Sequence, residues 1–163
     1  MILISHRGNI SGCDPCRENT PSYIDEALDR SYDAEIDLWA DSTGWWLGHD
    51  KPQIKITQDW LEQRSKKLWV HCKSFGSLEA LRGTSLRFFY HNSESYTLIS
   101  NGLIWAHNTK EVNEFCVIPL LSAREASLNR RFYYPTPVFG ICSDYVETIS
   151  NMNFKQHRHG YGS

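Results

Sequence analysis

From Ile2 to Gly83 the chain alternates short strand-forming and helix-forming runs; from Arg87 onward, strand-forming runs follow each other with hardly any room for helices. This order limits the fold more than any overall composition does. "ILISH" (2–6) reads as a strand. "TPSYIDEALDR" reads as a helix, with Thr20 as N-cap, Pro21 at the first helical position and Tyr23, Ile24, Ala27 and Leu28 on one face. "YDAEIDLWA" and "GWWLGH" are strands paired through the "DSTG" turn, and "TQDWLEQRS" is a helix capped by Thr57. "KLWVHCK" is a strand and "GSLEALRG" a helix; "LRFFYHN", "GLIWAHN", "EFCVIPLL" and "VFGICSDY" are further strands. Such alternation argues for parallel βαβ units, in an open α/β sheet or a closed barrel. Residues 1–150 are expected to form one domain. Residues 151–163, "NMNFKQHRHGYGS", lack periodicity and read as a tail.

Polar, titratable residues stand at the carboxyl ends of successive strands: His6-Arg7, His71-Cys72-Lys73, His91-Asn92, His107-Asn108 and Ser143-Asp144. Parallel α/β folds build their sites at these ends. Glu35 and Asp37 lie two apart within one strand and so share a face, with Ile36 on the other. Flanked by Ile36, Leu38 and Trp39, that strand reads as central rather than as a solvated edge. Two carboxylates held close repel unless one keeps its proton or a cation sits between them. A hard divalent ion with oxygen ligands relieves the repulsion, and magnesium or calcium suits it best. His6 and His49 can divide proton duties near neutral pH, while Arg7 offers a planar fork and Lys73 a point charge to a phosphate. The set suits a phosphodiester better than a carboxyl ester, and no G-x-S-x-G elbow, P-loop or G-x-G-x-x-G occurs.

With a net charge of −2 over 163 residues, no global basic field recruits nucleic acid, and a basic groove interleaved with aromatics is absent. No apolar run is long enough to span a membrane, and the N-terminus lacks the pattern of a signal peptide. Cys13 and Cys16 form C-D-P-C, a spacing that suits a metal knuckle, a redox pair or a reduced surface loop. A zinc site needs two further ligands and no second C-x-x-C supplies them. Cys72, Cys116 and Cys142 fall in apolar runs and read as core residues. Reduced cysteines and no signal peptide place the expected location in the cytoplasm.

"HRG", "ENTPSYIDEAL", "YDAEIDLW" and "LGHD", in this order over residues 4 to 52, resemble the glycerophosphodiester phosphodiesterase family, within the superfamily that includes phosphatidylinositol-specific phospholipase C. "ICSDY" resembles the family's last barrel strand. The resemblance implies a TIM barrel with its site at the C-terminal mouth and a divalent cation. It implies His6 and His49 as the acid–base pair, Glu35 and Asp37 as metal ligands and Arg7 as a phosphate contact. Glu18 would orient the site from the first loop. The implied substrate is a small glycerophosphodiester, cleaved by water or by its own hydroxyl.

Two departures shape the expectation. The family places an acid two residues before the lysine of the third strand, whereas "VHCKS" has His71 there and keeps Lys73. An imidazole as metal ligand shifts the preferred ion toward manganese or zinc. The chain is also short, since a (β/α)₈ barrel typically needs about 200 or more residues. The expected fold is therefore an α/β trimmed TIM (β/α) barrel with short or missing helices in its second half. A second copy of the chain could cover exposed faces there through "RFFYHNSESY" and "RRFYYP". The alternative function is a non-catalytic phosphate-ligand binding module on the same scaffold.

Overall fold

In the computed structural model of the chain, residues 1–127 and 137–158 are described, with side chains as far as Met152. Seven strands run parallel: β1 (Ile2–His6), β2 (Asp33–Asp41), β5 (Leu68–Cys72), β6 (Arg87–Phe89), β8 (Ile104–Ala106), β9 (Cys116–Pro119) and β10 (Gly140–Ser143). Their spatial order is β6-β5-β2-β1-β10-β9-β8, which sets the last strand beside the first. Three more strands are antiparallel to their neighbours. β3 (Gly44–Leu47) returns along the far end of β2, β4 (Ile54–Ile56) pairs with β3, and β7 (Tyr96–Leu98) pairs with β8.

The expected trimmed TIM (β/α) barrel is not what forms. The chain builds one mixed ten-stranded sheet curled into a half-barrel. Five short helices accompany it among the described residues: α1 (Pro21–Asp29), α2 (Gln58–Gln63), α3 (Phe75–Leu81), α4 (Ala123–Ser127) and α5 (Val146–Arg158). The physical reason is chain economy. Hairpins bring β3, β4 and β7 in as antiparallel strands, and the stretch between β8 and β9 carries no helix. No ladder closes the gap between β6 and β7. Loop contacts span it instead, Ser100 N–H to Phe88 O at 2.9 Å and Phe88 N–H to Ser100 Oγ at 3.0 Å. Helix α5 runs through the point at which the sequence reading begins its tail, so residues 151–158 are helical. "RRFYYP", the His157 side chain and His159 lie outside what is described.

Period-two alternation sorts the side chains between two faces. On the convex face Ala34, Ile36 and Leu38 of β2 pack with Val70 and Cys72 of β5 and with Ile24 of α1 and Leu81 of α3. Cys116, Ile118 and Ile141 pack with Ala126 of α4 and Ile149 of α5. On the concave face Ile4, Trp69, Val117 and Cys142 fill the end nearest the strand starts. Cys72, Cys116 and Cys142 are thus buried core thiols, whereas Cys13 and Cys16 are exposed and free. No described helix is long and apolar enough to cross a membrane.

Helix α3 lies so close to β2 that a Cβ on Gly76 would meet Ala40 O at 2.1 Å. Helix propensity alone favours Ala over Gly by about 1 kcal/mol. Contact with an immovable backbone oxygen outweighs that gain. Gly76→Ala should destabilise the fold by about 1–3 kcal/mol, read from chemical denaturation; a stabilised variant would contradict this packing.

Candidate active site

The pleat puts Glu35 and Asp37 on the concave face, and strand register supplies their neighbours. His6 of β1 lies alongside Glu35, and His71 of β5 alongside Asp37. Both carboxylates are buried, Glu35 at 2 % and Asp37 at 0 % exposure. Glu35, Asp37 and His71 each present one ligand atom, all within 4.8 Å of one another.

The two acids live in opposite environments. Asp37 Oδ1 lies 3.0 Å from His71 Nδ1 and 3.6 Å from Lys73 Nζ, while Oδ2 accepts from Asn19 Nδ2 at 2.9 Å. Arg7 Nε stands 2.9 Å from the same Oδ2, an ion pair in which its N–H is not aligned as a hydrogen bond. Burial pushes the Asp37 pKa up, but the His71 hydrogen bond, the Arg7 charge and Asn19 outweigh it and hold the group well below the usual carboxylate range. Glu35 goes the other way. Burial and the neighbouring Asp37 charge raise its pKa, and its Oε2 has no hydrogen-bond partner. His6 Nε2 and His71 Nδ1 stand off at 3.9 and 4.0 Å. Neighbouring carboxylates split in this way are a feature of catalytic sites.

The loop after β1 turns sharply, with Arg7 at φ +54, and Arg7 N–H bonds to Glu35 O at 3.0 Å. Glu18 receives Arg7 Nη1 at 3.1 Å, Asn9 Nδ2 at 2.8 Å and the Cys13 thiol at 3.0 Å. Burial opposes its ionisation, yet these three donors lower its pKa. Glu18 therefore holds Arg7 from behind and is absent from the cavity wall. Asn9 also donates to Asp144 at 2.8 Å, and Asp144 Oδ1 lies 2.7 Å from His6 Nδ1. Burial lowers the His6 pKa, but the Asp144 hydrogen bond and the Glu35 charge more than offset this and raise it. His49 arrives from the turn after β3. Gly48 holds φ +148 there, in a space where a Cβ would strike Lys51 O at 2.2 Å. His49 Nδ1 sits 2.7 Å from Asp50 Oδ1, with its side chain 44 % exposed.

These groups converge. His6, Arg7, Glu35, His49, His71 and Lys73 line a cavity of about 340 Å³ at the carboxyl ends of the parallel strands. Asp37 is not part of its lining. Phe89, His91, Trp105, His107, Pro119 and Leu121 complete the lining. A separate cavity of about 390 Å³, between Trp45, Leu61 and Leu81 on the convex face, has Glu62 but no histidine, lysine or arginine in its lining.

Residues beyond the expected catalytic, substrate and metal set complete the site. Asp144 orients His6, Asn9 and Asn19 hold the acids, and Asp50 orients His49. Asn19 stands in the "EN" motif and Asp50 in "GHD", so both were signalled; Asn9 was not. His91 and His107, read no further than strand ends, belong to the wall. The His91 ring stacks on His71 with centroids 4.4 Å apart, and Phe89 stacks on Trp105 at 4.4 Å. Trp105 Nε1 can only donate, so His107 Nε2, 3.2 Å away, accepts. His91 Nε2 lies 3.3 Å from that atom, whose single lone pair the indole N–H takes. The His107 ring is neutral in this arrangement. Burial lowers both pKa values, with repulsion from His71 added, and brings His91 down to about 4.

That shift has a consequence for stability. Unfolded, His91 takes up a proton near its ordinary pKa; folded, it does so only near 4. Its contribution is complete above about pH 6.5 and is lost as pH falls from there toward about 4. Melting temperature should drop more steeply over this window in the wild type than in His91→Phe, which keeps a ring but cannot titrate. Parallel curves would contradict the neutral assignment.

Glu35, Asp37 and His71 offer a mixed oxygen and nitrogen donor set. Four carboxylates, Glu18, Glu35, Asp37 and Asp144, stand against two fixed cations, Arg7 and Lys73, and Glu35 Oε2 is an unpaired buried acceptor. This chemistry fits a divalent ion, and the imidazole favours manganese or zinc over calcium. No protein-family model, curated protein or solved structure matches the chain.

Proposed function

We propose that the chain is a metal-dependent phosphoric diester hydrolase of the glycerophosphodiester phosphodiesterase kind, acting on a glycerophosphodiester-like substrate. One observation supports this above the others: His6, Arg7, Glu35, His49, His71 and Lys73, scattered through the first half of the sequence, line a single cavity. Arg7 and Lys73 bind phosphoryl oxygens and offset charge as it develops. His6 Nδ1 is engaged by Asp144 and His49 Nδ1 by Asp50, which leaves each Nε2 for the substrate. One Nε2 takes a proton from the attacking hydroxyl and the other returns one to the leaving alcohol. Glu35, Asp37 and His71 would hold a divalent cation, magnesium or calcium by carboxylate count and manganese or zinc by the imidazole, which would supply Lewis acidity toward the phosphoryl group. The partners in this reading are a small phosphodiester and, over the exposed Tyr90, Tyr96 and Leu98, a second copy of the chain. The cytoplasm is its proposed location.

A second reading, a binding module without turnover, gains from one feature: Arg7 and Lys73 both lean on Asp37. Alcohol release from a glycerophosphodiester, with each cation in turn and then with EDTA, separates the two. The hydrolase releases alcohol and stops on chelation. The module binds substrate, yields no product and ignores EDTA.

A further inference from the structure

The C-D-P-C stretch has no part in the chemistry above, yet it touches the network that positions it. Cys13 and Cys16 are both exposed and unpaired. Cys16 lies inside one tight turn, in which Glu18 N–H and Arg17 N–H both bond to Asp14 O and Cys16 N–H bonds to the Asp14 carboxylate, and Cys13 immediately precedes that turn. Two free, exposed thiols at C-x-x-C spacing are the arrangement of a redox pair. The Cys13 thiol donates to Glu18 Oε1 at 3.0 Å. Glu18 in turn holds Arg7, and it shares Asn9 with Asp144, the partner of His6. Asp14 N–H fixes Asn9 through its Oδ1 at 3.0 Å. The loop that carries both thiols thus reaches the two polar residues that set Arg7 and His6 in place.

We propose that Cys13 and Cys16 form a reversible disulfide under oxidation by a low-molecular-weight disulfide, and that the bond weakens the site by taking the Cys13 thiol away from Glu18. In the first step the Cys16 thiolate attacks oxidised glutathione, whose sulfur–sulfur bond breaks and releases one glutathione thiolate. Cys13 then gives up its proton, its sulfur attacks the Cys16 sulfur, and the second glutathione leaves. In sum, one protein dithiol is oxidised and one glutathione disulfide is reduced to two thiols. The order follows from the surroundings. The hydrogen bond to Glu18 pushes the Cys13 thiol up to about 11, so it is the poorer first nucleophile. Cys72, Cys116 and Cys142 are buried and take no part. Glu18 loses one of its three donors, and the Asp14 turn that anchors Asn9 is pulled toward the new bond.

The effect on catalysis rests on the hydrolase reading; the disulfide does not. The test is to incubate the folded protein with oxidised glutathione at neutral pH, alkylate it and map the peptides by mass, with turnover measured before and after dithiothreitol. The expected result is a Cys13–Cys16 cross-link and a several-fold, reversible loss of turnover, with Cys16→Ser unaffected by the oxidant. Free thiols, or glutathione adducts that never resolve into the cross-link, overturn the proposal, as does a cross-linked protein with an unaltered site. If the reduced protein turns over no phosphodiester, the hydrolase reading fails separately. Hydrogen exchange at the Asp37 amide, which bonds to Asn19 at the end of the same loop, then decides the coupling: faster exchange after oxidation supports it, and unchanged exchange overturns it.

Discussion

Asp37→Ala should cost the fold about 3–5 kcal/mol, the range seen when one partner of a buried ion pair is removed. Asp37 is fully buried, and Arg7, His71, Lys73 and Asn19 all address its two oxygens. Without it, Arg7 keeps Glu18 and the Glu35 charge, and Lys73 loses its ion pair. Glu35→Gln, one pleat away, should behave in the opposite sense. Glu35 pays burial with an unpaired Oε2, and a neutral amide of the same shape removes that cost. The pair of variants, unfolded in denaturant without added metal, should therefore bracket the wild type. If both destabilise equally, the assignment of Asp37 as the structural anion of the site and Glu35 as its strained partner is wrong.

His6→Ala should lower phosphodiester turnover by about a hundred- to ten-thousand-fold, the usual yield of positioned acid–base catalysis. The imidazole is partly buried, anchored on Asp144 at 2.7 Å and open at Nε2 toward Glu35 and the cavity. Its removal leaves Asp144 bonded to Asn9, so the melting temperature should change little while the rate collapses. Asp144→Asn should give a smaller loss and a shifted pH profile, because the imidazole remains but loses the carboxylate that raises its pKa. A His6→Ala protein as active as the wild type would remove His6 from the chemistry.

Local signals carried the first half of the fold well. Thr20 and Thr57 accept from Tyr23 N–H and Trp60 N–H as N-caps do, and the period-two pattern of β2 puts Glu35 and Asp37 together on one buried face. Three-residue strands such as "IKI" and "YTL" were not legible, being too short to show a period. Nor was the architecture. Parallel runs carry the same local pattern in a closed barrel and in a half-barrel, and long-range pairing decides between them. The same limit hid the anchor of His6, for Asp144 lies 138 residues away and only the adjacency of β1 and β10 brings it near. His91 and His107 looked like isolated strand ends because nothing local says that three imidazoles and two aromatic rings will pack into one wall, four of them stacked and His107 tilted against it.

Hydrolysis of phosphodiesters in this cavity, as proposed, is open to direct test. Its most direct test is release of free alcohol from a panel of glycerophosphodiesters by purified protein supplied with manganese, zinc, magnesium or calcium, beside folded His6→Ala. The expected result is alcohol release by the wild type with at least one ion, abolished by EDTA and nearly lost in the variant. Folded wild-type protein that binds these compounds but releases no alcohol with any ion would contradict it and leave a phosphate-binding module in its place.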